Sequence, residues 1–439
     1  MSRKWNMLCL LLAVMLLTGC SMRTLEELYC VPRRSEEQNS LQTAIDRNMN
    51  GLSYCAPLNG ENLQTVQMAD LDGDGVEEYM LFAKGTTEKP LQILIFRLQG
   101  DEYVLSDTIQ SAGSVFDLVD YGRIDDKPGY ELIVGRQVSD QLTRTVTIYS
   151  FTGGKAHQLM NANYTKFLAC DMNADGRSEL MVLHPGESDE ASGLAELYTY
   201  LGGEMVRSNQ VSMSETTDRL KRIVVGKLHG GGPAVYVASA YGENAIITDV
   251  FALVEGQFTN VSFSNESGTS VQTLRNYYVY ADDIDEDGVV ELPNLITMYS
   301  PGDINIAEQQ YLIRWYAMTG SGDEVDKGYT YHNFQSGWYL NLDSRWAPRV
   351  AVLQKGNAYE FYLWDENFQD AQKLLTIYAL TGNDRDEQAL ANNRFVLFKG
   401  DSTVYAANLE VPSASFDITQ DALIESFHLI HQDWKTGET

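Results

Sequence analysis

At 439 residues, with 44% hydrophobic and 10% aromatic content, the chain can bury a large core, and wholesale disorder is excluded. Thirty-two Lys and Arg face 61 Asp and Glu, a net charge of −29, which excludes a nucleic-acid backbone as partner and unaided adhesion to an anionic membrane. The length predicts two to four compact units or one large repetitive one, and the five cysteines form neither the CxxC pairs of a zinc site nor a dense disulfide scaffold.

The chain begins with a short basic stretch, Arg3 and Lys4, followed by an apolar run over 7–17. That is the pattern of a secretory signal, and it is too short to span a bilayer comfortably. Residues Leu17, Thr18, Gly19 and Cys20 resemble the bacterial lipobox. The resemblance implies that the Cys20 thiol is acylated and becomes the new N-terminus. The protein would then sit on the extracellular face of the cell membrane, held by lipid alone. Loss of 1–19 makes the charge −31, so lipid chains would supply the affinity that charge denies. Outside the cytoplasm Cys30 and Cys55 can be bridged or can remain free thiols; spacing does not decide.

Residues 20–61 are expected to form an anchored linker with one short helix. Ser35 and Gln38 fit a capping box, Leu41 and Ile45 share a face, and Gly51 is a stop. From 62 to 412 the sequence repeats. Three segments read D-x-[DN]-x-D-G-x-x-E. They are Asp70, Asp72, Asp74 and Glu78; Asp171, Asn173, Asp175 and Glu179; and Asp283, Asp285, Asp287 and Glu291. Strand-length apolar runs flank each of them, so the unit is strand, acidic loop, strand. Weakened copies start at 123, 227 and 341, which puts successive units 48 to 58 residues apart. Paired runs at 91–97 and 103–109, 145–151 and 157–160, and 246–253 and 258–263 are joined by short Gly-containing turns, as in hairpins. About fifty residues and four strands is the size of a propeller blade. The expected class is therefore all-β, a propeller of four-stranded blades with short helices at both ends. Seven blades is the favoured count, using strands at 395–398 and 404–409; six plus an extra hairpin is the alternative. From 413 to 439 a helix is expected, opened by Asp417 and Gln420, with Leu423, Phe427, Ile430 and Trp434 on one face.

The loops carry the chemistry. Three oxygen-bearing side chains at alternate positions converge in a tight turn, the sixth-position Gly permits the bend, and the seventh carbonyl (Val76, Arg177 or Val289) can add a ligand. An all-oxygen set suits Ca²⁺, and so many carboxylates in nine residues repel one another without a cation. An EF-hand needs Glu at position twelve, where Leu81, Val182 and Asn294 stand instead. The pattern resembles the FG-GAP, or VCBS-type, repeats of integrin-α-like propellers, over roughly 64–409. The resemblance implies Ca²⁺ held by side chains one, three, five and nine and carbonyl seven, at up to three structural sites. It departs from the family in having Glu at position nine. With its lipobox and terminal helices the chain is similar to surface lipoproteins of Gram-positive bacteria of clostridial type.

Signals for catalysis are thin. The run from His229 to Gly232 is similar to an oxyanion loop, but no G-x-S-x-G elbow accompanies it. No His pair has metal-ligand spacing, and no carboxylate pair stands out as acid and base. Trp315, Trp338, Trp346 and Trp364 either stack on sugar rings or pack blades. The expected role is a non-catalytic binding or scaffold module for a surface protein or a glycan. The alternative is an extracellular hydrolase or lyase acting on carbohydrate.

Overall fold

In the computed structural model, residues 36–138, 144–186, 188, 191–276, 279–298, 310–345, 347–411 and 416–430 are described. The signal, the lipobox, Cys20, Cys30, Trp346 and Trp434 lie outside them. The chain divides into two compact units, each continuous in contacts but not in sequence.

The first unit takes in 64–70 and 75–112 with the preceding helix. Helix α1 (Glu36–Asn48) buries Ala44 and Ile45 against Leu81, Ala83, Leu94, Phe96 and Tyr103, with Leu41 on the same face. Gly51 follows at φ +76°, where a Cβ is disfavoured, and ends the helical path. The sheet is an antiparallel meander. Strands β1 (Ser53–Tyr54) and β2 (Val66–Ala69) share one edge of β3 (Glu78–Lys84), followed by β4 (Leu91–Gln99) and β5 (Glu102–Ser111). Six consecutive residues of β4 are buried, as in a strand covered on both faces.

The second unit takes in 57–63, 71–74 and everything from 113. Five antiparallel sheets follow in chain order. The first holds β6 (Val115–Gly122), β7 (Glu131–Gln137), β8 (Arg144–Thr152) and β9 (Lys155–Tyr164). The second holds β10 (Lys166–Cys170), β11 (Glu179–His184), β12 (Leu194–Leu201) and β13 (Glu204–Ser212). The third holds β14 (Leu220–Lys227), β15 (Pro233–Tyr241), β16 (Ala245–Val254) and β17 (Gln257–Asn260). The fourth holds β18 (Glu291–Thr297), β19 (Tyr311–Met318), β20 (Glu324–Asn333) and β21 (Trp338–Leu342). The fifth orders β22 (Val350–Lys355), β23 (Ala358–Trp364) and β24 (Ala371–Thr381) before β26 (Thr403–Leu409) and β25 (Phe395–Lys399), with helix α2 (Arg385–Leu390) between β24 and β25.

Alternation along the strands explains how these sheets stack. In β11, Leu180 and Val182 pack with Ile133 and Ile148 of the preceding sheet. Met181 and Leu183 point the other way and pack with Val235, Val237 and Phe251 of the next. In β15, Ala234 and Tyr236 turn to Leu292 and Tyr316 in the same manner. Tyr331, Trp338 and Leu340 meet Phe361, Leu375 and Ile377. Apolar side chains on both faces, in sheets joined front to back, are what four-stranded propeller blades require. The all-β class expected from the repeat is the class observed.

Two local expectations change. Strands 395–399 and 403–409 extend the fifth sheet of the second unit rather than opening a further one; six sheets are present among the described residues. The terminal helix is also shorter than its apolar stripe suggested. Helix α3 (Gln420–Ser426), capped by Thr419 Oγ1 accepting from Ala422 N, stops at Phe427. There the chain becomes strand β27 (Phe427–Leu429), which pairs with β21. Phe427 lies flat on Trp338, with centroids 5.5 Å apart and planes at 27°.

Candidate metal centres

The three intact loops have one hydrogen bond in common. The first-position Asp accepts from the sixth-position Gly amide: Asp70 from Gly75 at 3.0 Å, Asp171 from Gly176 at 2.8 Å, Asp283 from Gly288 at 2.7 Å. Each of these glycines has φ near +85°, which explains the residue type. The loop at 70–78 is divided between the units: Asp70, Val76 and Glu78 belong to the first, Asp72 and Asp74 to the second. Within the second, Asp74 N donates to Asp72 Oδ1 at 3.3 Å.

In the loop at 171–179, Asp175 N donates to Asp171 Oδ1 and to Asn173 Oδ1. The Asn173 amide nitrogen reaches Asp175 Oδ2 at 3.2 Å and Glu179 Oε1 at 3.0 Å. Four of the expected ligand residues are thus gathered by their own hydrogen bonds. Arg177 contributes differently from expectation: besides its backbone position, its guanidinium pairs with Asp175 Oδ2 at 2.9 Å on the exposed side. To hold a metal, this set would need the Asn173 amide to turn its oxygen toward Asp175 and Glu179, at the cost of the bond from Asp175 N. Glu179 is buried and accepts from Met172 N at 2.8 Å. Burial pushes its carboxyl above the usual range, partly offset by that amide.

In the loop at 283–291, Asp283, Asp285 and Glu291 each bring one carboxylate oxygen within 4.8 Å of the others, a cluster that could hold a metal ion. Val289 N is hydrogen-bonded to Asp287 Oδ1 at 2.8 Å. Glu291 is fully buried, accepts from Ile284 N at 3.1 Å, and is pushed up to about 7, chiefly by burial. A cation is already there. Lys327 of β20 places Nζ 2.6 Å from Asp287 Oδ2, 3.2 Å from Glu291 Oε1 and 3.3 Å from Asp285 Oδ2. Burial works against its charge, but the carboxylates outweigh burial and hold its pKa above the usual lysine value.

The weakened copies show the same substitution within the loop itself. Position five is Lys127 in one, and its Nζ lies 3.1 Å from Asp125, which also accepts from Ser150 Oγ at 2.8 Å. Position five is Arg345 in another, and its guanidinium forks onto both oxygens of Asp343. Lys127 and Arg345 are legible in sequence as cations at the metal position. Lys327 is not, because it arrives from a strand 36 residues past the loop's end.

The aromatic candidates separate. Trp315 is buried and donates from Nε1 to Thr330 Oγ1 at 2.7 Å; Trp338 is buried beneath Phe427. Both serve as packing, not as an exposed stacking platform. Trp364 is half-buried beside Phe368. Another buried carboxylate, Asp249, is enclosed by Ser214 N and Oγ, Ser270 Oγ and Asn260 Nδ2, all within 2.9 Å. A cavity of about 370 Å³ in the second unit is lined by hydroxyl and amide groups, including Tyr359, Tyr405, Ser336, Gln354 and Asn357. Cys55 is half-buried.

No protein-family model and no curated protein matches the chain. Among solved structures, it is similar to a Bacillus licheniformis rhamnogalacturonan lyase at 9% identity, covering 73% of this chain and 91% of that one, with a TM-score of 0.31. It is also similar to the exotype rhamnogalacturonan lyase YesX at 12% identity, covering 68% and 75%, with a TM-score of 0.30. A Lactobacillus plantarum protein aligns at 9% identity over 73% and 86%, with a TM-score of 0.27. Similarity this distant leaves the chemistry to the residues of this chain.

Proposed function

We propose that the protein is a calcium-stabilised binding module, held on the outer face of a bacterial cell membrane through Cys20, whose ligand is a surface protein or a glycan. The observation that carries the metal is the threefold recurrence of one hydrogen bond, the first-position Asp on the Gly amide at 3.0, 2.8 and 2.7 Å, with further oxygens gathered beside it in the loop at 283–291. Carboxylates crowded into so short a loop repel one another unless a cation sits among them. The loops lie between strands or at a strand start, so an ion there joins adjacent ribbons and acts as a structural clamp. The hydroxyl- and amide-lined cavity offers hydrogen-bonding groups suited to a polar ligand such as a glycan.

Calcium titration tests the reading. Ca²⁺ is expected to raise the thermal midpoint, and EDTA to reverse the rise, with about 2.7 kcal/mol gained per site at a hundredfold excess over Kd. Asp72→Ala and Asn173→Ala should each reduce the response. A midpoint indifferent to both Ca²⁺ and EDTA sinks the metal assignment.

A further inference from the structure

We propose that Lys327 is the resident cation of the loop at 283–291, so that the native protein takes no divalent ion there. The inference deepens the reading of these loops as cation sites and rests on it.

Three observations converge. First, Lys327 Nζ stands among Asp285, Asp287 and Glu291 at 3.3, 2.6 and 3.2 Å, the place where a bound ion would have to sit. An ammonium and a divalent ion cannot share that point; their repulsion adds to the steric conflict. Second, the buried Oε1 of Glu291 accepts no hydrogen bond, and the charge it faces is that same Nζ at 3.2 Å. A carboxylate oxygen removed from water in this way needs a positive charge, and the lysine supplies it. Third, the chain makes the same exchange twice more. Lys127 meets Asp125, and Arg345 meets Asp343, in loops that have lost part of the acidic pattern. Those two loops changed their own fifth residue. The loop at 283–291 kept its acidic residues and received its cation from β20. Its intact sequence therefore conceals a site that already holds a charge.

The lysine stem explains why the arrangement holds. Lys327 is only 14% exposed, its aliphatic portion covered while the head reaches the loop. A bound ion would have to expel it into solvent, away from three carboxylates.

Equilibrium dialysis of the full-length protein against ⁴⁵Ca²⁺ tests the proposal. Lys327→Met keeps the stem and removes the charge; it should bind one more ion per chain than the native protein. Asp285→Ala in the native background should leave the count unchanged. No gain in Lys327→Met with an unaltered circular dichroism spectrum would overturn the proposal, as would a count lowered by one in Asp285→Ala. Should Lys327→Met misfold, Asp285→Ala decides alone. A native count of zero would defeat the wider calcium reading, whereas the gain of one ion on removing Lys327 is judged independently of that baseline.

Discussion

A buried glutamate closes the loops whether or not the rest of the acidic pattern survives. Glu131, Glu179 and Glu291 each offer Oε2 to the amide of the second loop residue: Ile124 at 2.7 Å, Met172 at 2.8 Å, Ile284 at 3.1 Å. Sequence reading marked the ninth position as a metal ligand through a family resemblance. The structure adds an amide-capping duty that explains why the Glu persists at 131, where the fifth-position acid has become Lys127. Glutamate's extra methylene lets one oxygen reach the amide while the other faces the loop centre. His332 lies at the same scale, and nothing in its sequence neighbourhood announced it. It is buried among the rings of Trp315, Phe334 and Tyr339, and burial pushes its imidazole down to about 3. A folded pKa below the unfolded value of about 6.5 means the unfolded chain binds the extra proton in the interval between. His332 is therefore expected to cost stability as pH falls below about 6.5, with the loss complete near pH 3. Replacing it with Phe should flatten that limb of the pH–midpoint curve relative to the native protein; parallel curves would refute the assignment.

Strands were the most legible elements. Hairpins such as β4–β5 and β8–β9 follow from paired β-prone runs broken by Gly turns, and their registers confirm the pairing. Legibility failed where one element serves two masters. Trp338 lies in a short run that could be a platform or a strand, and its ring is covered by side chains from distant strands, Tyr359, Phe361 and Phe427 of β27. Likewise the copy at 341–349 keeps the appearance of a strand–loop–strand unit, yet its flanking strands β21 and β22 belong to different sheets. Spacing cannot report which sheet a strand joins, because hydrogen-bond partners are chosen by distant segments. The helix stripe through Phe427 misled for the same reason: a strand pairing outweighed local helical periodicity. Phe427, 6% exposed between Trp338 and Tyr405, should cost about 3–5 kcal/mol when replaced by Ala. Leu429, 37% exposed on the same strand, should cost no more than about 0.5 kcal/mol. Chemical denaturation of the two variants separates packing by the ring from pairing by the strand, and equal losses would refute the role given to the ring.

For the molecule as a whole, the excess of 29 negative charges is the feature that unites the readings. It makes cations such as Lys327 useful within the loops, and under the proposed anchoring it would leave lipid to supply the membrane affinity. Cys20→Ser should therefore release the protein into the medium almost completely, read by fractionation of intact cells; retention at the membrane would sink the proposed anchor. The overall class was readable because the repeat is long, periodic and punctuated by glycine. The entry of Lys327 into the loop at 283–291 was not, since it depends on a side chain from another strand.

The stitch between β21 and β27 has a temporal consequence. Asn341 and His428, neighbours across it, are 87 residues apart in the chain. A nascent polypeptide that has emerged only as far as β26 has every strand of the last sheet available, yet the sheet before it still presents a bare edge, with the indole of Trp338 lacking the Phe427 ring. Until those late residues arrive, that edge is open to any passing extended segment. Premature termination upstream of Phe427 would leave the same vulnerability permanently, as a product inclined to associate through that seam.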